Sequence, residues 1–331
     1  MENMLKDYNL FLPDLSDVEQ KDDVMSNRIR KNYKHIKKWA KRTSSDSFRL
    51  YDRDIPAFPI AIDYYGGNLC IQFYSKNKDL LPDNLFIQSC EKSITSCFAQ
   101  NLKKIVWKHR ICRERNEQYE KLDKKNEHFI ALENGIPFLI NIDDYLDNGL
   151  FLDHRITREY VMKEAREKRV LNLFSYTSSF SVYAFCGGAS ETLSVDMSNK
   201  YCKWSADNFK LNNMPSQKNI VLREDCIKFL KTYSGKKFDI IVIDPPTISR
   251  SAKMENFFDV NKDYVFLITN ALKHLTDNGF IMFSTNSRTI KPDFSLFNVF
   301  VNELTPSSIP FGFHDVKIHR AWIIKKKEFD K

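Results

Sequence analysis

Hydrophobic positions fall into two textures along this chain. From about Gly149, five short apolar runs, "RVLNLFS", "ETLSVDM", "NIVLRED", "FDIIVIDPP" and "GFIMFSTNS", alternate with helical stretches. Those stretches are "YCKWSADNFKLNN", "CIKFLKTYS" and "VNKDYVFLITNALKHLTD". Strand–helix alternation at this spacing predicts an α/β fold, a mostly parallel sheet covered by helices on both faces. The tail, "FHDVKIHRAWIIKKKEF", offers two further strand-like runs, expected as an antiparallel edge.

Upstream the pattern is that of a smaller α+β unit. "FPIAIDYYGGNLCIQFYS" reads as a hairpin turning at Gly66-Gly67-Asn68, and "LFIQSCEKSITSCFAQNL" has helical spacing. "KKIVWKHR" and "HFIALENGIPFLINI" read as strands, the second folded at Asn134-Gly135. Still earlier, Met25, Ile29, Tyr33, Ile36 and Ala40 recur at helical spacing, and Ser44-Ser45-Asp46 stops the helix. The predicted organisation is an acidic, loose leader with a basic amphipathic helix (1–50), a small α+β RNA-binding or linking domain (51–145), and the α/β domain (146–331).

Composition narrows the class. The 331 residues are 42% hydrophobic and 28% charged, which is globular. No run reaches the ~18 apolar residues of a membrane span, and the N-terminus lacks a signal pattern, so a cytoplasmic protein is expected. Seven cysteines, at 70, 90, 97, 112, 186, 202 and 226, show no Cys-x-x-Cys and no zinc-finger spacing. Reduced thiols and no metal are expected. The net charge is +8, and residues 27–42 hold eight Lys/Arg with no acid among them: Arg28, Arg30, Lys31, Lys34, Lys37, Lys38, Lys41 and Arg42. An unbroken positive face suits phosphate contact better than solubility alone.

In an open α/β sheet the ligand sits beyond the carboxyl ends of the strands. Asp196 ends the second strand, where a carboxylate can accept from both ribose hydroxyls; Asp225 ends the third, placed for an adenine amine. Either acid alone would also serve as a helix cap. The turn after the first strand, Ser175-Tyr176-Thr177-Ser178-Ser179, has no glycine and no cation, which argues against a dinucleotide pyrophosphate. S-adenosylmethionine carries no phosphate and fits better. After the fourth strand, Asp244-Pro245-Pro246 makes a stiff, extended loop with carbonyls free to accept, able to hold a planar base.

The stretches "NLFSYTSSFSVYA", "VDMS", "DIIVIDPPTISRSAKM", "IMFSTNSR" and "DYLDNGLFLDHR" resemble the class I S-adenosylmethionine-dependent ribosomal RNA methyltransferases. Within them the chain is most similar to the RlmK type, the bacterial large-subunit (23S) guanine-N7 methyltransferases that form the K half of the fused K/L enzyme. The likeness extends upstream through "FRLYDRDIPAFPIAID", "WKHRICRERNEQYEKL" and "NRIRKNYKHIKKWAKR". It implies a Rossmann-like class I methyltransferase fold and S-adenosylmethionine as cofactor. It also implies 23S rRNA as partner, and a stand-alone K-type enzyme, read as a monomer, beside a separate L-type methyltransferase. Asp153 and Arg155 would meet the amino-acid end of the cofactor, although such a pair also makes ordinary surface salt bridges. Phe174, Ser175, Tyr176 and Thr177 would line its methionine side, Asp196 with Met197 the ribose, and Asp225 the adenine. Asp244 and Pro245 would border the reacting methyl, with Asn286, Asp244 or Asp259 reading the guanine edge. Arg250 and Lys253, with Arg110, Arg113 and Arg115, would meet RNA phosphates. Ser178 and Ser179 stand where relatives usually carry glycine, and Ile248 where they carry an aromatic residue that Phe257 or Phe258 would have to replace.

The chemistry separates two methyltransferase readings. Cytosine C5 needs a cysteine thiolate to attack C6, whereas guanine N7 already has an in-plane lone pair and needs only positioning. The fifth strand ends in Ser284-Thr285-Asn286-Ser287, without cysteine, and Cys226 is expected to begin a helix. A site of acceptors and amides with neither His nor Cys is therefore expected, and N7 is preferred over C5. A third reading is a homologue that binds RNA with weakened turnover.

Overall fold

The structure is a computed structural model that describes residues 8–15, 23–75, 80–98, 102–111, 127–249, 257–305 and 307–327. It divides into two compact units, Met1–Leu152 with Phe311–Asp315, and Asp153–Pro310 with Val316–Lys331. The basic helix thus stands in one unit with the α+β segment.

In the first unit, helix α1 (Val24–Arg42) begins at Asp23, whose side chain accepts from the Ser26 N–H, and ends with Lys41 and Arg42 in its last turn. Both ends complement the helix dipole. Its buried stripe is Met25, Ser26, Ile29, Tyr33, Ile36 and Ala40, the expected spacing. The stripe packs on a four-stranded sheet, β1 (Ser47–Asp52), β2 (Ile60–Tyr65), β3 (Asn68–Ser75) and β4 (Lys104–Ile111), in that order. Strands β2 and β3 form the expected hairpin around Gly66-Gly67, with Asn68 already paired to Tyr65. Helix α2 (Asn84–Cys97) links β3 to β4 in parallel. Hairpin β5 (Phe129–Glu133) and β6 (Ile136–Ile140) turns at Asn134 and Gly135, both at positive φ, which this tight turn requires.

Residues 8–15 depart from the loose leader of the prediction. Tyr8 Oη donates to Asp46 Oδ2 at 2.5 Å, the Phe11 N–H donates to the same oxygen, and Phe11, Leu12 and Leu15 pack on the core. Apolar side chains within an acidic segment drive this docking, because even their partial burial removes apolar surface from water at about 25 cal/mol per Å².

The second unit is built on strands β7 (Arg169–Leu173), β8 (Glu191–Asp196), β9 (Asn219–Arg223), β10 (Phe238–Ile243), β13 (Leu275–Thr285), β14 (Val299–Glu303) and β15 (Arg320–Lys326). Their order is β14-β15-β13-β10-β7-β8-β9, with β15 antiparallel to both of its neighbours and the other six strands running in one direction. The short ladder β11 (Ile248–Ser249) and β12 (Phe258–Asp259) follows β10. One part of the edge prediction fails. Of the tail, only Arg320–Lys326 is a strand, and it is the antiparallel one; the edge strand beside it is Val299–Glu303, which lies upstream of the tail and was not among the predicted runs.

Both faces of the sheet are covered, as predicted. Along β10, Ile241 and Ile243 pack with α6 (Cys226–Thr232) and α7 (Val260–His274). Ile240 and Val242 face the other cluster, with α3 (Arg155–Glu164) and α4 (Ser179–Cys186). Helix α5 (Asn199–Leu211) lies between β8 and β9 in the chain. Where α4 ends, Gly187 has an ordinary φ of −78°, yet a Cβ there would sit 2.0 Å from the Met162 carbonyl oxygen in α3. We expect Gly187→Ala to force these helices apart at a cost of about 1–3 kcal/mol. Urea unfolding checks this: an unchanged midpoint would rule out the clash.

Candidate active site

Sheet register aligns the candidate residues. Phe283, Ile243, Leu173, Val195 and Leu222 are successive partners across β13, β10, β7, β8 and β9. One residue further along stand Ser284, Asp244, Phe174, Asp196 and Arg223. The chain reverses its direction of travel at β7/β10, so Phe174 and Asp244 flank the switch-point crevice where such sheets bind ligands.

The turn after β7 is held in an unusual backbone. Phe174, Tyr176 and Ser178 have φ of 54°, 52° and 60°, a left-handed conformation that costs a non-glycine residue about 1–2 kcal/mol each. It persists because its groups are tied from several sides. The Tyr176 N–H donates to Asp196 Oδ2 (2.9 Å) and that of Ser175 to the Val195 carbonyl (3.1 Å), while that of Phe174 meets Cys226 Sγ (3.1 Å). From α5, Asn208 Nδ2 donates to the Thr177 carbonyl and Ser205 Oγ to that of Tyr176, both at 3.0 Å. The Ser178 hydroxyl donates to Ser205 Oγ at 2.7 Å, both groups buried.

That geometry sets the balance for the missing glycine. In Ser178→Gly the relief of strain is offset by a lost hydrogen bond of about 1 kcal/mol and by the larger entropy of an unfolded glycine. Its stability is expected within about 1 kcal/mol of wild type, whereas Ser178→Ala keeps the strain and loses the bond, costing about 1–2 kcal/mol. Denaturant midpoints for the two variants test this ordering.

The acids are partly engaged by backbone. Asp196 accepts Tyr176 N–H on Oδ2 and Ser198 N–H on Oδ1 (2.8 Å), leaving further acceptor capacity on each oxygen. Burial pushes its carboxyl up, against the pull of those two N–H groups. Asp225 caps α6, accepting from Ile227 and Lys228 on Oδ1. Capping uses Oδ1 alone and so does not preclude the expected adenine contact. The neighbouring Met197 is half-buried, and its carbonyl accepts from Arg223 Nε at 3.4 Å. Ser284 Oγ donates to Asp244 Oδ1 at 2.7 Å, fixing that side chain, which remains 25% exposed. Pro245 is buried. Thr247 Oγ1 donates to Asn286 Oδ1 at 2.6 Å at the exposed rim. Asp259 spends Oδ1 on capping α7. Phe258 is buried against Phe174 and offers no open face, whereas Phe257 is 44% exposed.

The expectation of a site without His or Cys is corrected. Asp153 Oδ2 accepts from the His319 ring at Nδ1 (3.0 Å) and lies 3.7 Å from His154 Nε2, which is also 3.6 Å from Asp244 Oδ2. Burial would raise the Asp153 carboxyl, but His154, His319 and Arg158 together hold it well below the usual range. Cys226 does begin α6, yet its sulfur accepts the Phe174 N–H, and burial pushes the thiol well above its ordinary value. His154 was visible inside the "LDHR" motif, but His319 lies 166 residues from Asp153, and only the antiparallel return of β15 brings it there. Arg155 is buried at the start of α3.

The basic residues divide. Lys31, Lys34, Lys37, Lys38 and Lys41 are exposed on α1. Arg28 instead leans to Asp54 at 3.9 Å, and Arg30 turns inward to Ser26, Asn27 and the Ser96 carbonyl. Arg110 is tied to Gln72, Asp147 and the Leu146 carbonyl. Arg113, Arg115, Arg250 and Lys253 lie outside the described residues.

The site fits a nucleoside cofactor whose other end is a zwitterion. Ser175 Oγ is buried with no hydrogen-bond partner among the described residues, and Asp196 and Asp225 keep acceptor capacity. A Rossmann-like transferase of nucleoside-cofactor type is thereby defined. The chain belongs to the S-adenosylmethionine-dependent methyltransferase family, whose model matches residues 60–308. It is an enzyme, and its cofactor is S-adenosylmethionine. It is 41% identical over 307 residues to the ribosomal RNA large subunit methyltransferase K of Neisseria meningitidis, covering 91% of this chain and 87% of that protein. Identity is also 41% over 319 residues with the methyltransferase K/L of Colwellia psychrerythraea, covering 94% of this chain but 44% of that one. A crystal structure of a methyltransferase complexed with SAH has a TM-score of 0.74 at 26% identity, covering 94% of this chain and 83% of that one.

Proposed function

We propose that this enzyme methylates guanine N7 in large-subunit (23S) rRNA in the cytoplasm. The observation that carries the reading is a site with fixed acceptors and no nucleophilic thiol at its strand ends, in a chain 41% identical to a large-subunit methyltransferase K. When bound, the cofactor supplies an electrophilic methyl group. The residues of the chain then have to bind and orient. Asp196 and Asp225 take the nucleoside, Asp153, Arg155, Ser175 and Thr177 face the methionine end, and Pro245 with the Asp244 carboxylate bounds the crevice. N7 needs no base, so the task is in-line placement in a field favouring cations. Asp244 and Asn286, one held by Ser284 and one by Thr247, are the acceptors for guanine N1–H and N2–H. The five exposed lysines of α1 supply phosphate contacts, and so do Arg113, Arg115, Arg250 and Lys253. Flipping a helical guanine costs a few kcal/mol, which those contacts offset.

Borohydride–aniline cleavage of 23S rRNA from a deletion strain tests the proposal. One 7-methylguanosine-dependent break should vanish and return on complementation. Persistence of every break would refute the N7 assignment, and loss of a 5-methylcytosine would favour the C5 alternative.

A further inference from the structure

His154 and His319 are both buried, stacked with centroids 4.3 Å apart and planes 15° apart, and both lie beside Asp153. Asp153, His154 and His319 bring three potential ligand atoms within 4.8 Å. Ring-nitrogen lone pairs lie in the ring plane, and two nearly parallel, stacked planes cannot aim them at one ion. The group is therefore a hydrogen-bonded network.

Its proton arrangement can be worked out. Thr157 Oγ1 gives its single proton to the His154 carbonyl at 2.8 Å, so toward His154 Nδ1, at 3.0 Å, it can only accept. His154 therefore carries its proton on Nδ1, and Nε2 is the nitrogen that titrates. That atom faces Asp153 Oδ2 and Asp244 Oδ2, at distances of 3.7 and 3.6 Å that are too long for direct hydrogen bonds. The charged or titratable groups around the ring are Asp153 on its own turn, Asp244 from the end of β10, His319 before β15, and Arg158 from α3. Phe180 of α4 closes the ring edge.

We propose that His154 is a positioning residue: bare at Nε2, it leaves the two carboxylates' field intact for a cationic cofactor, and protonated there, it bridges them and abolishes cofactor binding. A proton on Nε2 places a positive charge 3.6 Å from Asp244 and draws its free oxygen inward, away from the crevice. Burial keeps the ring's pKa below its ordinary value, against the pull of Asp244 and Asp153, so the bare form prevails at neutral pH. The inference rests on the methyltransferase reading of the site but not on rRNA as substrate.

Calorimetric titration with S-adenosylmethionine alone, from pH 5.5 to 8, is the test, since it needs no RNA. In the wild type, affinity should fall up to about tenfold per pH unit below the ring's titration point, as expected when binding excludes one proton. In His154→Asn, whose amide retains the donor to Thr157 and has no titrating nitrogen, that acid limb should disappear. An identical limb in this variant, or none in the wild type, overturns the proposal. Should His154→Asn fail to fold, Thr157→Val frees Nδ1 from its acceptor and should move the limb's midpoint; an unmoved midpoint overturns it equally. Loss of rRNA methylation with the acid limb intact would instead point to the RNA assignment.

Discussion

Asp244→Ala is expected to lower the rate of methyl transfer by about 10²–10³-fold, the range for removing one fixed polar group from a transition state, while the protein stays folded. Asp244 directly follows β10, and among the described residues its side chain takes no backbone hydrogen bond and is held by one hydrogen bond, from Ser284 Oγ. Truncation therefore leaves one hydroxyl to find water, at a cost of about 1 kcal/mol. The chemical loss is larger, because positive charge shifts from sulfonium to base across the crevice that this carboxylate borders. Asp244→Asn separates the two contributions: its amide oxygen still accepts from Ser284, so position survives and charge does not. Single-turnover rates with saturating cofactor, together with thermal melting, provide the check. An unchanged rate in Asp244→Ala removes the residue from the site.

Asp196→Ala should weaken cofactor binding about 100-fold, roughly 3 kcal/mol, if two hydrogen bonds from ribose hydroxyls to a charged acceptor are lost. It should also destabilise the fold, unlike Asp244→Ala. Two part-buried N–H groups, of Tyr176 and Ser198, lose their acceptor, at a cost of about 1 kcal/mol each. The left-handed turn from Phe174 to Ser178 loses one of the ties that hold it. Asp196→Asn is no rescue, since its NH₂ must face one of the two N–H donors. Calorimetry and denaturant unfolding measure the two effects separately. A variant with wild-type affinity and stability would show that Asp196 neither binds the ribose nor braces the turn.

Much of this architecture was legible in the chain, for physical reasons that differ by element. The five parallel strands announce themselves as short apolar runs, most continuous where both faces are buried, as in "DIIVID". The α1 stripe is legible because one side of the helix must dock. Asp196, Asp225 and Asp244 were found because register puts strand ends in a row, and an acid there stands out against apolar sequence. The edge strand Val299–Glu303 was not legible, since its apolar start, Val299-Phe300-Val301, is too short to stand out as a run and is mostly exposed.

The five-stranded parallel core, the preference for a phosphate-free nucleoside cofactor and the three strand-end acids were determined by the sequence alone, because each follows from local periodicity and residue type. Tertiary structure decided what each polar group does. It turned Arg30 and Arg110 inward to protein partners, set Cys226 as a buried acceptor, and drew His319 from the far end of the chain against Asp153 and His154. It also showed how a turn without glycine is tolerated. Left-handed backbone at Phe174, Tyr176 and Ser178 is stabilised by a hydrogen bond to Asp196 and by others from Ser205 and Asn208, residues distant in sequence that only packing could assemble.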